Sequence, residues 1–340
     1  MRIGLSYDLK GTLATAPDEP EDAQEEYDSP ETVEAIAAVI EGLGHAVVRL
    51  GGGRQFLTRI LREPVDFVFN IAEGLGNYRS REAQAPSLLE MLGIPYSGSD
   101  PLCLAISLDK PLTKKLVALA GVSTPGYRVV AERGEITRAG GDGLRFPLFV
   151  KPAYEGSSKG IRLSSRVDSP EQMEPAVVRV LEGYRQPVMV EEFIAGDEVT
   201  VGVIGNDPPK VLGIMRVLPK EKGRDFIYSL EIKRDWERLV EYECPARLPQ
   251  PVLAKIAAFS LSAFQTLGCR DFARLDFRVS PEGVPYFLEI NPLPGLNPHS
   301  SDLPIMARKL GWTYQELVAA VLKAALRRCG CASSDSHHLQ

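Results

Sequence analysis

Apolar positions in the first hundred residues alternate between two spacings. Short apolar runs at Arg2–Ser6, His45–Leu50 and Val65–Asn70 read as strands, the last two as buried ones. Between them Val33, Ile36, Ala37, Ile40 and Leu43 recur at helical spacing. They follow Ser29-Pro30-Glu31, which supplies a serine cap, a first-turn proline and an acid at the positive end of the dipole. Gly42 or Gly44 can end this helix, and Ala83–Leu92 predicts another. Strand–helix–strand alternation predicts a parallel sheet covered on both faces. The loop after the first strand is acidic: residues 17–28 carry Asp18, Glu19, Glu21, Asp22, Glu25, Glu26 and Asp28. It reads as a solvated, mobile segment. The alternative is a lid or an amine-binding element, because it leaves the C-terminal end of a strand, where α/β proteins place their sites.

The pattern changes after residue 109. Lys110–Leu119 predicts a helix, broken by Gly121-Val122-Ser123-Thr124-Pro125. Phe146–Lys151 predicts a strand running into the small-residue loop Glu155-Gly156-Ser157-Ser158-Lys159-Gly160, and Val188–Phe193 predicts another strand. Beyond Glu198 the expected order is strands at Val199–Ile204 and Val211–Val217, a polar loop at 219–235 and a helix at Pro251–Leu267. Strands at Phe272–Val279 and Pro285–Ile290 follow, joined by a turn at Ser280-Pro281-Glu282-Gly283, then a last helix at Tyr314–Arg327 and a disordered tail.

Length and composition narrow the class. A chain of 340 residues predicts two or three units. Its 44% hydrophobic and 25% charged content is that of an ordinary globular protein. Five scattered cysteines, 103, 244, 269, 329 and 331, form neither a disulfide framework nor a CxxC zinc pair, which fits a reducing cytoplasm. Met1–Asp8 reads as a strand rather than a signal peptide, and no run of eighteen apolar residues predicts a membrane span. A net charge of −6 argues against nucleic acid as partner, although basic residues can still cluster around a small anion.

Four constellations carry candidate chemistry. Arg274, Asp276 and Arg278 alternate along one predicted strand and Glu289 and Asn291 along the next, so a hairpin brings two carboxylates and an amide oxygen together. These hard oxygen ligands suit magnesium, with Arg274 as a permanent cation beside them; the plain alternative is a hairpin with a solvated charged face. Asn291-Pro292-Leu293-Pro294-Gly295 favours the first reading, because a rigid turn holds Asn291 in place. Lys151 precedes the glycine–serine loop, whose N–H groups can cradle phosphate, although the loop does not match a P-loop. Glu191-Glu192-Phe193-Ile194 with Glu198 suits a hinge that reads a base and a ribose, or a surface strand end. Lys110 follows Asp109 at a presumed junction between units.

Taken in order, these residues resemble the D-alanine–D-alanine ligase branch of the ATP-grasp superfamily, from about residue 64 to 325. Leu92–Ser99 with Asp109-Lys110 looks like the end of the family's first domain, and Phe149–Pro152 with the 155–160 loop like its phosphate cover. Leu267–Asp276 and Glu289–Gly295 look like its metal core. The resemblance implies an α/β fold, α+β in its C-terminal part, with domains at 1–109, 110–197 and 198–328 and a tail at 329–340. It implies ATP between the second and third domains, with Lys110, Lys151 and Lys233 on phosphates, Glu191 at the adenine and Glu198 at the ribose. Asp276, Glu289 and Asn291 would hold two magnesium ions, with manganese as an alternative. Arg274 and the Gly295 backbone would stabilise an oxyanion, the Ser157–Ser158 loop would close over the phosphates, and Ser300 would take the second substrate's carboxylate. The implied reaction activates a carboxylate as an acyl phosphate, which an amine then attacks. Partners would be small amino-acid-like molecules, with a homodimer through the first domain.

The first substrate's subsite departs from the family pattern. Ser6-Tyr7-Asp8-Leu9-Lys10 replaces a glycine-rich turn with a glutamate, and the stretch 70–82 replaces a histidine–glycine loop. Within that stretch Glu73 and Glu82 are candidates for the amine, and Arg79 or Arg81 for a carboxylate. A ligase for another acid or amine and a non-catalytic nucleotide binder stay open as readings; a dinucleotide oxidoreductase does not, because the first turn lacks GxGxxG.

Overall fold

The computed structural model describes residues 1–11, 19–136, 143–221 and 226–331. Asp18 of the acidic loop, 222–225 of the polar loop and the tail beyond 331 lie outside them.

Apolar runs at one end of the chain form strands β1 (Arg2–Tyr7), β2 (Ala46–Gly51) and β3 (Phe67–Ile71), parallel in the order β2-β1-β3. All five residues of β3 are buried, as expected of a strand covered on both faces. The helices of this unit are α1 (Pro30–Gly42), α2 (Gly53–Ile60), α3 (Gln84–Leu92) and α4 (Pro101–Leu108). Ser29 caps α1 by accepting the Thr32 N–H at 3.2 Å. Ser29→Ala is expected to cost about 1 kcal/mol, read as a lower urea midpoint at unchanged slope. Asp109 ends α4 and its carboxylate caps α5 (Lys110–Leu119), accepting the Leu112 N–H at 3.0 Å, so Lys110 stands at the first turn of that helix.

An antiparallel four-stranded sheet follows, with strands β4 (Tyr127–Val130), β5 (Leu148–Pro152), β6 (Arg166–Val167) and β7 (Val188–Glu192) in the order β4-β7-β5-β6. Helix α6 (Pro170–Tyr184) lays Met173, Val177 and Val180 on it. The third sheet holds β8 (Asp197–Ile204), β9 (Lys210–Pro219), β10 (Val240–Glu243), β11 (Phe272–Val279) and β12 (Pro285–Asn291), antiparallel in the order β10-β9-β8-β11-β12. The polar loop carries two short helices, α7 (Leu230–Arg234) and α8 (Trp236–Leu239). Helix α9 (Gln250–Thr266) covers one face of the third sheet, and α10 (Asp302–Lys309) and α11 (Tyr314–Arg328) follow it.

The core of the parallel sheet is not built from its own unit alone. Leu317, Val318, Val321 and Leu322 of α11 close over Val33, Ile36 and Ile40 of α1. Among the described residues no helix is long and apolar enough to cross a membrane.

Candidate active site

The β11–β12 hairpin sets the centre of the site. Its register places Asp276 opposite Glu289 and Arg274 opposite Asn291, with a slip just after Asp276. Arg274 donates to Asp276 Oδ2 from Nε at 3.1 Å and from one terminal nitrogen at 2.8 Å, and lies 3.6 Å from both Glu289 and Asp302. Lys110 reaches Glu289 at 3.1 Å. Burial pushes the Asp276 carboxyl up, Arg274 pulls it down, and Glu289 opposite pushes it up again. Glu289 goes the other way: burial is outweighed by Lys110, Lys151 and Arg274, which hold its carboxyl well below the usual carboxylate range. Asn291 Oδ1 accepts the Leu293 N–H at 2.9 Å, so the proline-rich turn does pin this amide. Asp276, Glu289 and Asn291 present hard oxygens on rigid strands. The donor set fits a magnesium ion.

Lys151 ends β5, and its ammonium lies 2.6 Å from Glu191 on the neighbouring strand β7. The other Glu191 oxygen lies 2.8 Å from Lys114, which is wholly buried. Burial lowers the Lys114 pKa to about 8 against the opposing pull of Glu191. Glu191 is expected at the adenine through its own oxygen or the neighbouring backbone; in the structure two ammonium groups lie against that carboxylate. Glu191 lines the adjoining cleft together with Phe193 and Ile194. Glu198 also lines it, held by Arg278 at 2.8 and 3.0 Å.

Two cavities meet at this centre. One, about 700 Å³, has apolar walls from Phe149, Ile161, Ile194 and Leu288 and ends at Lys151, Asp276 and Glu289. The other, about 1000 Å³, is lined by Ser157, Arg274, Gly295 and Ser300 on one side and by Lys10, Glu25 and Asp28 on the other. Tyr228, Lys233 and Asp302 line both. Gly295 lies close against Ser301, whose Oγ would meet an added Cβ at 2.8 Å.

The acidic loop is the main surprise. The expectation of a solvated segment is overturned, because Asp22 and Glu26 are buried against the glycine–serine loop. Asp22 accepts the Gly160 N–H at 3.0 Å and the Tyr184 hydroxyl at 2.8 Å. Glu26 accepts the Gly156 N–H at 2.7 Å and the Arg81 guanidinium at 2.8 Å, and pairs with Lys159 at 3.4 Å. Burial opposes the Glu26 charge, but Arg81 and Lys159 prevail and bring its pKa down to about 2. Glu25 and Glu21 hold Arg234 of α7 at 2.9 and 3.4 Å. The physical reason is complementarity: the cations that neutralise this loop come from three distant stretches of chain, so no local pattern shows them. Ser157 and Ser158 sit with φ of +48° and +60°, the left-handed region that non-glycine residues rarely adopt, in the loop these contacts hold.

Glu73 and Glu82 are the residues expected at the first substrate's amine. They sit beside Arg81 and Glu26, and neither lines the larger cavity. Burial and neighbouring acids push Glu73 well up, and burial pushes Glu82 to about 7. Arg81 is buried in ion pairs with Glu26 and Glu155, while Arg79 is exposed, 3.5 Å from Asp109. Glu25, Glu26, Asp28 and Asp302 are the acids that line it, and of these Asp28 is raised to about 7 by burial and by Asp8. Sequence reading also missed Lys114, although it stands four residues after Lys110 and thus on the same helix face.

The family model described as "D-ala D-ala ligase C-terminus" matches residues 116–323. A D-alanine–D-alanine ligase of Aquifex aeolicus is 32% identical over 294 residues, covering 86% of this chain and 94% of that one. Among solved structures, the Bacillus anthracis D-alanine–D-alanine ligase complexed with ATP superposes with a TM-score of 0.73 at 24% identity, over 98% of this chain and 99% of that one. The VanG D-Ala:D-Ser ligase of Enterococcus faecalis gives 0.70 at 22% identity, over 95% and 99%. An apolar-walled cleft and a second polar cavity, joined at a paired-carboxylate hairpin, accompany a family match over more than half the chain. This chain belongs to the D-alanine–D-alanine ligase family of ATP-grasp enzymes, ATP-dependent carbon–nitrogen ligases.

Proposed function

We propose that the chain joins two amino-acid-like substrates in the larger cavity, using magnesium and ATP bound in the smaller one. The observation that carries this reading is the junction of the two cavities at Tyr228, Lys233 and Asp302, beside Arg274 and Asp276. Phosphate and acceptor can meet there without leaving the protein. The apolar walls take the adenine, Glu198 takes the ribose, and Lys110, Lys151 and Lys233 face the phosphates. Asp276, Glu289 and Asn291 hold magnesium, which when bound neutralises phosphate charge. The Gly156 and Gly160 N–H groups are already taken by Glu26 and Asp22, so the backbone donors of Ser157 and Ser158 are the ones left for phosphate.

In this reading the first substrate's carboxylate attacks the γ-phosphate and releases ADP, and the amine of the second attacks the acyl phosphate, forming the amide bond and expelling phosphate. Arg274 and the Gly295 N–H stabilise the oxyanion, and Ser300 takes the second carboxylate. Asp28 takes the ammonium of the first substrate, the role expected of Glu73 or Glu82. D-alanine is the first pair to test, since the relatives carry that name. A different acid or amine is the second reading, favoured by Lys10, Glu25 and Asp28 in the cavity wall. We place the domain limits at 109/110, 197/198 and 328/329, supported by the division of the strands into three sheets. A cytoplasmic homodimer through the first domain completes the reading; exposed Leu57, Leu61 and Met91 in that domain support the contact.

The test is phosphate release from Mg-ATP with a panel of D- and L-amino acids and hydroxy acids, with mass spectrometry of products. Asp28 is charged above about 7, so KM for the amine-bearing first substrate is expected to fall as pH rises through that value. Asp28→Asn should raise that KM about tenfold and remove the pH dependence. A hydroxy acid used as well as its amino analogue, or an unchanged KM in the variant, would overturn the assignment of Asp28.

A further inference from the structure

The cluster behind Lys151 has an unusual charge balance. Lys114 Nζ lies 2.8 Å from Glu191 Oε2, donates to Thr124 Oγ1 at 2.9 Å and faces the Phe287 carbonyl oxygen at 3.4 Å. Lys151 Nζ lies 2.6 Å from Glu191 Oε1. Glu191 thus bridges two ammonium groups. Lys151 and Glu191 line the smaller cavity; Lys114 stands behind them and is wholly shielded from solvent. Packing alone does not call for an ammonium there, because an apolar side chain of similar length fills the same space at no desolvation cost.

A lysine paired one-to-one with a buried carboxylate presents little net field to a third group. With Glu191 alone, Lys151 would offer an incoming phosphate a neutral pair. With Lys114 on the far oxygen, the trio carries one net positive charge and its open end is Lys151. We propose that Lys114 is a positioning residue for nucleotide binding: it draws on Glu191 from behind, so that Lys151 keeps both its place and its charge toward the phosphates. This rests on the reading of the smaller cavity as the ATP site. The exposure of each member fits it, since Lys151 and Glu191 line the cavity and Lys114 is out of reach of a ligand.

The experiment is a charge-compensation cycle, read by equilibrium ATP binding without the second substrate and by KM for ATP during turnover. Lys114→Met makes the pair neutral and should weaken ATP binding about tenfold, leaving KM for the amino acids within about twofold. The double variant Lys114→Met with Glu191→Gln removes one charge of each sign and leaves Lys151 as the sole cation. It should recover ATP affinity to within about threefold of wild type. Thr124→Val keeps all charges and loses two hydrogen bonds, one from Lys114 and one to the Phe287 carbonyl oxygen, so it should move stability and not ATP affinity. A merely structural lysine gives the opposite pattern: the double variant binds no better than the single one, and Thr124→Val mimics it. Either result overturns the proposal. If Lys114→Met does not fold, the double variant and Thr124→Val carry the test, because the first keeps the net charge of the trio and the second keeps its ion pairs. Wild type that binds no ATP would sink the cavity reading along with this one; wild type and Lys114→Met binding equally would sink this one alone.

Discussion

Replacing Arg274 with methionine is expected to lower kcat about 100- to 1000-fold, roughly 3–4 kcal/mol of transition-state stabilisation. KM for ATP should change much less. The guanidinium already lies within 3.6 Å of Asp276, Glu289 and Asp302, so it is aimed before any substrate arrives. A group oriented in advance spends no reorganisation energy as charge develops, which makes its loss appear in kcat rather than in nucleotide affinity. Methionine fills the volume but leaves those acids without their cation, so magnesium affinity should be measured in parallel. Raising magnesium should not restore kcat. If it does, Arg274 serves the metal site and not the oxyanion.

Arg81→Met is expected to be the most damaging change away from the chemistry. Arg81 binds Glu26 and Glu155 at 2.8 and 3.0 Å and the Tyr154 carbonyl oxygen at 2.9 Å. Its removal leaves two buried carboxylates sharing Lys159. Breaking a buried ion pair from one side costs about 3–5 kcal/mol, which should release the acidic loop from the glycine–serine loop. Hydrogen exchange across Pro20–Tyr27 should speed up in the variant, together with a lower urea midpoint. The same network sets a pH limit in the unmodified chain. Glu26 is depressed from 4.5 in the unfolded state to about 2, so its stabilising contribution is fully present above 4.5 and lost as pH falls through about 2. Exchange protection in the loop that was flat between pH 7 and pH 2 would contradict this account.

Much of the fold was legible because its signals are local. Helix α5 falls on the expected Lys110–Leu119, and α1 begins at the predicted serine cap. The β11–β12 hairpin has the expected facing of Asp276 and Glu289, because alternation along a strand fixes which side chains share a face. Helices α2 and α6 were not foreseen. The first starts at Gly52-Gly53, which reads as a turn, and the second carries Pro175 inside it, which reads as a break. Asp100-Pro101, a cap followed by a first-turn proline, was a usable signal for α4 that went unread.

The candidate site divides the same way. Residues on regular strands, Arg274, Asp276, Glu289 and Asn291, are where alternation puts them. Residues whose partners are remote are not. Glu26 meets Arg81, Lys159 and Gly156; Glu191 meets Lys114 through the packing of a helix on two strands. A run of acids looks solvated until the folded chain brings up its counter-ions, and no spacing along the sequence encodes that meeting.

The seal that α11 places on α1 has a consequence for the chain's birth. A ribosome delivers α1 long before α11. Until α11 follows, Val33, Ile36 and Ile40 lack its cover and stay open to chaperones, and a nonsense codon that removes α11 leaves its damage far from the lesion along the polypeptide.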